Sequence, residues 1–440
     1  MNEKYDQNED FALDYKDRVY DRQYFLMYQY RLNELRNRVA KNCTEKWNSG
    51  FKLQGRHVVR KQKVLDIQAN EPCWCIGAIY CEMKYKPNIL EEVAKDTYGA
   101  PDLTKSYTDP EGSDEIMLED ESGRVLLVGD VVTSTPFVSG TVVGILGMEA
   151  DAGTFQVLDI CYPYPLPQSK PVLPISCGKI ALISGLNITP DDPKLSLKLQ
   201  LLQNYLMGEI GDPVKSKDIA KLIICGDSVA LFEEEGKLIS SLEQLSDFLT
   251  NILQSIPVDI MPGENDPSDK SLPQQPLHKA LFSGALESYF HDSNQNVFNP
   301  TTNPSWFNIS GVKLLGTSGQ NVNDIYKYII PYYENSKETL DNDIEHRLDM
   351  IEATLNWQNI APTAPDTLWC YPYKDNDPFI LKEWPRVYFV GNQPEYGTRE
   401  VTLDNDTRIK TILVPKFSST GQIVVLDLKT LESELVTITV

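Results

Sequence analysis

Between residues 179 and 263 the chain alternates short, almost wholly apolar runs with longer amphipathic ones. The order is KIALISGL (179–186), a helical pattern over about 193–208, KLIICGD (221–227), a second helical pattern over about 241–254, and VDIMPG (258–263). An apolar run without polar alternation makes a strand buried on both faces, and helical crossovers join such strands in parallel. The stretch therefore predicts a layered α/β domain. Further strands are expected at KLLGTSG (313–319), RVYFVGN (386–392), TILVPKF (411–417) and QIVVLDL (422–428), while the polar, acidic piece 333–346 reads as a solvated insertion.

Upstream the pattern differs. Short strands are expected at KVLDI (63–67), CWCIGAIYC (73–81), RVLLVGDVV (124–132), TVVGILGM (141–148) and TFQVLDI (154–160), the last two joined as a hairpin through the turn Glu149 to Gly153. Several short strands over about 110 residues suggest a small barrel of the oligonucleotide-binding (OB) type. Tyr98 to Gly123, acidic and rich in Gly, Pro and Ser, reads as a long mobile loop. The proline-rich stretch 163–174 marks a boundary. From Tyr24 to Trp47, Phe25, Tyr28, Leu32, Leu35 and Val39 recur at three- and four-residue steps, predicting one amphipathic helix. Its stripe is expected to pack on the body of the protein, although a partner helix could use it as well. The expected organisation is thus an arm and helix over 1–47, an OB-fold domain over 48–170 and an α/β domain over 175–440.

The formal charge of −22 weighs against general nucleic-acid affinity, which depends on neutralising phosphates with Lys and Arg. Residues 1–64 hold 14 Lys/Arg and 9 Asp/Glu, a net of +5, so the remainder carries −27. Such a body suits basic protein partners. The eight cysteines are scattered apart from Cys73, Cys75 and Cys81, which lie on a strand pattern and read as buried packing, with no His or second Cys pair nearby to complete a zinc site. No run of about 18 apolar residues and no secretory signature at MNEKYDQNED appear, so an intracellular protein is expected.

Ligands of open α/β sheets bind where strand C-termini meet loops, and the residues there carry the functional reading. They are Ser184-Gly185-Leu186, Gly226-Asp227-Ser228-Val229-Ala230, Pro262-Gly263-Glu264-Asn265-Asp266, Ser318-Gly319-Gln320 and Gly391-Asn392-Gln393-Pro394. Their order and spacing resemble the calcineurin-like metallophosphoesterases, whose strand ends carry DxH, GDxxD, GNH with a following acid, a lone His, and GHxH. That chemistry needs two divalent ions about 3.5–4 Å apart, held by Asp, Asn and His. Position by position, the resemblance puts Ser184 and Leu186 where Asp and His should stand. It keeps Asp227 but has Ala230 for the second carboxylate. Glu264 replaces the Asn and Asn265 the His, while Asp266 survives. Ser318 takes the place of the lone His, and Asn392 and Pro394 the last two. His57, His278, His291 and His346 lie elsewhere. The expectation is a degenerate site that holds no metal pair and has no catalytic residue.

A barrel followed by such a domain is similar to the B-subunit family of replicative DNA polymerases, and within it to the delta branch of fungal type. The resemblance spans nearly the whole chain beyond the first twenty or so residues. It rests on GRVLLVGD (123–130), GILGMEADAGTFQVLDICYP (144–163), VDIMPGENDPSDKSLPQQPLHKALF (258–282) and NIAPTAPDTLWCYPY (359–373). It implies a nuclear, non-catalytic accessory subunit that binds the cysteine-rich C-terminal domain of the catalytic subunit on one side and a third, clamp-binding subunit on the other. It also implies sharing with polymerase zeta, and an iron–sulfur cluster held by the catalytic partner rather than by this chain. Trp369, Tyr371, Tyr373 and Trp384, dense and flanked by prolines, are the candidate partner-binding aromatics, with a core-packing loop as the alternative. Two other functions are weighed against the scaffold: a residual metal-dependent phosphodiesterase, and single-strand binding by the barrel with Trp74 and Phe155 as stacking platforms.

Overall fold

The computed structural model describes residues 9–48, 50–87, 104–109, 111–150, 153–169, 178–211, 217–232, 234–290, 297–330, 340–403 and 407–440. Two compact units divide the chain. One comprises Met1–Arg18, Pro167–Gln320 and Glu383–Val440; the other comprises Val19–Leu166 and Asn321–Lys382. The cut between Leu166 and Pro167 falls in the proline-rich stretch, but the division differs from the expected 48–170 and 175–440, because residues 321–382 belong with the barrel.

In the barrel unit, helix α1 (Phe25–Lys46) precedes the strands β1 (Val59–Arg60), β2 (Cys73–Glu82), β3 (Glu115–Glu119), β4 (Arg124–Val128), β5 (Val142–Glu149) and β6 (Thr154–Cys161). Their order is β1-β2-β3-β4-β6-β5, and β5 pairs back onto β2, which closes the sheet and protects its edges. Both faces of β2 are covered. Cys73, Cys75, Ile79 and Cys81 point into the barrel core with Ile145 and Phe155, whereas Trp74 and Ile76 pack with Leu35, Val39 and Cys43 of α1. Burial pushes the Cys73 thiol up to about 11 and Cys81 up to about 12, as structural thiols require. Trp74 and Phe155 are 5% and 0% exposed, so neither offers a stacking platform.

Several expectations here are corrected. KVLDI forms a 3-10 turn (Val64–Asp66) rather than a strand, because the Asp66 carboxylate accepts from the Lys63 N–H and the Asp120 carboxylate from the Val64 N–H. The expected mobile loop contains β3, which adds to β2 despite its two glutamates; residues 98–103 and 110 of that loop lie outside the described residues, as do 151 and 152 of the hairpin turn. RVLLVGDVV stops as a strand at Val128, and Asp130–Ser134 turn into a short helix. Of the expected stripe of α1, Leu35 and Val39 are fully buried and Tyr28 and Leu32 partly so, but Phe25 is exposed, and the packed face continues through Met27, Arg31 and Cys43.

The other unit holds β7 (Lys179–Ile183), α2 (Pro193–Leu206), β8 (Ile219–Cys225), α3 (Glu235–Ile252), β9 (Val258–Met261), β10 (Phe298–Pro300), β11 (Ser305–Ile309), β12 (Val312–Thr317), β13 (Val387–Gln393), β14 (Gly397–Leu403), β15 (Thr407–Pro415), β16 (Gln422–Asp427) and β17 (Ser433–Thr437). Asp192 caps α2 by accepting from the Lys194 and Leu195 N–H groups, with Pro193 at the first helical position. One six-stranded sheet runs β10-β9-β8-β7-β16-β17 and a five-stranded sheet runs β11-β12-β13-β15-β14. Alternation along β7 and β8 shows why the runs are continuously apolar: Ile180, Leu182, Ile223 and Cys225 pack against Leu314 and Phe389 of the second sheet, while Ala181, Ile183, Leu222 and Ile224 pack with α2 and α3. The strands β7, β8 and β9 are parallel, as are β12, β13 and β15, so their C-terminal ends gather the loops singled out in the sequence.

Two helices complete the barrel unit's second segment. They are α4 (Gln320–Tyr328), whose first residue is Gln320 of the other unit, and α5 (Leu340–Trp357). Of the solvated insertion expected at 333–346, residues 333–339 lie outside the described residues; from Leu340 the chain is helical, with Ile344 buried and Glu345 exposed.

Candidate functional site

Five strand ends meet in the α/β unit, and their side chains form two polar clusters. The first centres on Asn392, at the end of β13 with φ 56°. Its amide nitrogen donates to the Ser318 carbonyl (2.9 Å) and to Ser318 Oγ (3.0 Å), while its backbone N–H donates to Ser184 Oγ at 2.8 Å. Ser184 in turn points at the carbonyls of Val414 and Pro415, both at 3.1 Å. The three side chains thus tie β7, β12, β13 and β15 together with neutral hydrogen bonds, each worth roughly 1 kcal/mol net.

The second cluster holds the carboxylates. Asp227, with φ 54°, accepts from the Asn265 N–H (3.0 Å) and side-chain amide (3.2 Å). Asp266 accepts from the N–H groups of Ser228 (2.8 Å), Val229 (3.1 Å) and Gly263 (2.8 Å). Burial raises both acids. Asp227 is lifted against the pull of Asn265 and Lys416, and Asp266, enclosed beside Asp227, reaches about 7.

The loops approach too closely for larger residues. A Cβ on Gly226 would sit 2.0 Å from Ser318 Oγ, and one on Gly263 would sit 2.2 Å from the Asp227 backbone nitrogen. The remaining predicted positions do not join in. Leu186 is enclosed in the helix-side core, Ala230 and Pro394 are half-buried, and the Glu264 side chain faces solvent. Among the described residues no three His, Cys, Asp or Glu side chains gather in a way that could hold a metal ion. His278 is engaged elsewhere, accepting from the Ala280 N–H, and His291 lies outside the described residues.

Sequence reasoning missed an amide relay behind these clusters. Gln274 donates to the Gly263 carbonyl at 2.9 Å and accepts from Asn303 (2.7 Å) and Gln320 (2.9 Å), and Asn303 accepts from the Ser318 N–H at 2.9 Å. Nothing in SLPQQPL distinguishes Gln274 from a solvated glutamine. Its neighbour Gln275 clamps the N-terminal arm, donating to the Phe11 carbonyl and accepting from the Leu13 N–H, and Arg18 pairs with Asp269 at 3.0 Å.

Three of the four candidate partner-binding aromatics take the core-packing alternative. Tyr371 and Tyr373 are 5% and 7% exposed within the barrel unit, Tyr371 wedged edge-on between Tyr20 and Tyr373. Trp384 is buried in the α/β unit, where its backbone N–H reaches the Pro167 carbonyl. Packing within this chain consumes all three; Trp369 alone of the four is half-exposed.

The B-subunit family model of DNA polymerases alpha and epsilon matches residues 180–398, and the model of the DNA polymerase delta OB-fold domain matches residues 23–160. The DNA polymerase delta small subunit of Saccharomyces cerevisiae is 58% identical over 453 residues, 99% of this chain and 93% of that one. The chain belongs to the DNA polymerase delta small-subunit family. The rice DNA polymerase delta small subunit is 36% identical and covers 84% of each chain; the Drosophila melanogaster DNA polymerase delta subunit 2 is 32% identical, covering 96% of this chain and 94% of that one. The matched residues 23–160 take in α1 and all six barrel strands, so the closed sheet is this family's OB-fold domain, and the strand-end clusters fall in the part shared with the alpha and epsilon polymerases' B-subunit family.

Proposed function

We propose that this chain is a non-catalytic scaffold subunit of DNA polymerase delta, acting in the nucleus. It bridges the cysteine-rich C-terminal domain of the catalytic subunit and a third, clamp-binding subunit, and it also serves the catalytic subunit of polymerase zeta. The sliding clamp and DNA are reached through those partners, and the iron–sulfur cluster of the assembly belongs to the catalytic subunit. The α/β unit keeps the frame of a calcineurin-like phosphoesterase with a degenerate metal site.

One observation carries this reading: Ser184, Ser318 and Asn392 bond to one another at the strand ends where a phosphoesterase needs Asp and His. Hydroxyls and amides so engaged do not fit a pair of divalent ions. The surviving acids are no better placed, since Asp266 spends its oxygens on three backbone N–H groups and Asp227 on Asn265. A two-ion clamp for phosphoryl oxygens is therefore out of reach of this donor set.

Affinity purification from cell extract, read by mass spectrometry, is expected to recover a large B-family polymerase and a smaller clamp-binding protein in equal amounts. Phosphodiester cleavage with manganese is expected to stay at background. A copurifying activity abolished by Asp227→Ala would falsify the scaffold reading.

A further inference from the structure

Residues 46–65 hold six Lys or Arg and His57 without a single Asp or Glu, in a chain whose formal charge is −22. In the middle of this stretch the barrel unit carries a small ribbon. Lys52–Leu53 pairs antiparallel with Arg56–His57, and Gln54 and Gly55 make the turn with φ of 50° and 79°. The ribbon is open to solvent: a Cβ on Gly55 would meet nothing within 4 Å, and Lys52, Arg56, His57 and Arg60 are all exposed.

Part of this charge is cancelled within the unit. Lys46 pairs with Asp159 at 2.8 Å, Lys61 pairs with Glu71, and Lys63 sits beside Asp66, whose carboxylate accepts its N–H at 3.2 Å. Lys52, Arg56 and Arg60 have no carboxylate partner among the described residues. The two arginines are nevertheless oriented. Arg56 Nη1 donates to the Asn70 carbonyl at 2.9 Å, and the Arg60 guanidinium lies 5.1 Å from the centre of the Trp74 ring. A carbonyl and an indole face steer a guanidinium without neutralising it, and they leave its other N–H groups free to fork onto an anion's oxygens. The fold thus holds a surplus of three cations in place.

The surroundings select the anion. A nucleic-acid single strand is held largely by stacking its bases on aromatics, but Trp74 is 5% exposed beneath Arg60 and Phe51 is half-buried. A protein interface needs an apolar core, and along 52–60 only Val59 among the apolar side chains is exposed, Leu53 and Val58 being half-buried. A duplex needs neither, because its phosphates line both sides of a groove that admits a two-stranded ribbon. Acid elsewhere on the chain does not forbid the contact, since at about 0.15 M salt charges farther away than about 8 Å are largely screened.

We propose that the Lys52–Arg60 ribbon is a contact for the phosphate backbone of duplex DNA. It adds a direct contact to the one reached through partners, and it stands apart from the scaffold reading because the isolated full-length chain tests it. Binding to a labelled duplex of about 25 base pairs is read by fluorescence anisotropy. At about −0.9 in log K per log salt for each phosphate neutralised, three contacts give a slope near about −2.7, roughly a twentyfold loss between about 50 and 150 mM salt. Lys52→Gln with Arg56→Gln changes only exposed side chains and is expected to bring the slope to about −0.9 and to lower affinity about tenfold or more at the lower salt. Lys194→Gln with Lys429→Gln, an equal change of charge at exposed positions of the α/β unit, is expected to lower it less than about twofold. An equal loss in that control, tighter binding of a single strand or of a decaglutamate peptide, or no duplex binding at the lower salt overturns the proposal. So does a ribbon variant that keeps its duplex affinity and loses its copurifying proteins. If the unaltered chain binds duplex as expected but recovers no polymerase subunit from extract, the ribbon contact stands and the scaffold reading fails.

Discussion

Arg31 in the barrel unit and Asp266 in the α/β unit are both enclosed ionisable groups, 1% and 3% exposed, yet they are satisfied in opposite ways. Arg31 has an ion partner: Nε donates to Asp377 at 2.6 Å, and the two terminal nitrogens donate to the carbonyls of Pro362 (2.7 Å) and Ala364 (2.6 Å). Asp266 meets backbone N–H groups and has another carboxylate, Asp227, for a neighbour. A guanidinium brings charge as well as hydrogen bonds, so the two opposite charges of the pair offset each other in low dielectric. N–H dipoles fill the lone pairs and leave the charge uncompensated, which is why burial prevails and Asp266 holds its proton to about pH 7. The barrel unit keeps a lock, whereas at the strand ends Asp266 is held by backbone N–H groups beside a second carboxylate.

The largest effect should come from breaking the lock. Asp377→Ala leaves a guanidinium buried and unpaired and is expected to cost about 3–5 kcal/mol in urea denaturation. The double change Arg31→Met with Asp377→Leu should recover most of that loss, because no charge then needs company. A cost under about 1 kcal/mol for Asp377→Ala would break the comparison.

Next comes pH. The unfolded Asp266 titrates near 3.8 and the folded one near 7, so between those values the folded state binds more protons and stability falls as pH rises. At about 1.4 kcal/mol for each pH unit, the decline reaches a few kcal/mol by neutrality. Asp266→Asn should flatten this slope while losing roughly 1–3 kcal/mol at pH 5 from the imperfect match of an amide to three donors. Urea midpoints between pH 4 and 8 for both proteins decide the matter; parallel slopes would assign the titration to another group. A smaller cost attaches to the neutral cluster: Asn392→Ala removes the donor to Ser318 and is expected to lose about 1–2 kcal/mol with no change in pH slope.

Much of this arrangement was legible in the sequence. The runs ending Ser184, Asp227, Glu264 to Asp266, Ser318 and Asn392 are apolar because both sheet faces are covered, so each strand end announces itself by its first polar residues. Edge strands such as β11 and β14 were missed because they are short or carry charge, Arg399 and the exposed Glu400 in β14. On α1 the expected stripe met the packed face at Leu35 and Val39 but began at the exposed Phe25, because Arg31, a charge that the sequence-distant Asp377 makes tolerable, disguised the face's start at Met27. Tyr371, Tyr373 and Trp384 read alike as interface or interior, since a buried aromatic and an interfacial one differ only in what covers them. Gln274 and Asn303 had no local signal at all, because their role depends on loops that meet only in the folded sheet.

The smallest effect sharpens the contrast most. Glu264 sits at the exposed lip of the strand-end cluster, where its charge adds to the upward push on Asp227. Glu264→Gln removes like charge from an exposed side chain, so it should be neutral or stabilise by up to about 0.5 kcal/mol at pH 7. Salt should shrink that gain, because the repulsion passes partly through solvent. In the barrel lock, deleting a carboxylate costs several kcal/mol; at the strand ends the same deletion should be harmless or better. A loss above about 1 kcal/mol on Glu264→Gln, read by urea denaturation at low and high salt, would mean that an unseen cation or donor binds there and that the cluster is compensated after all.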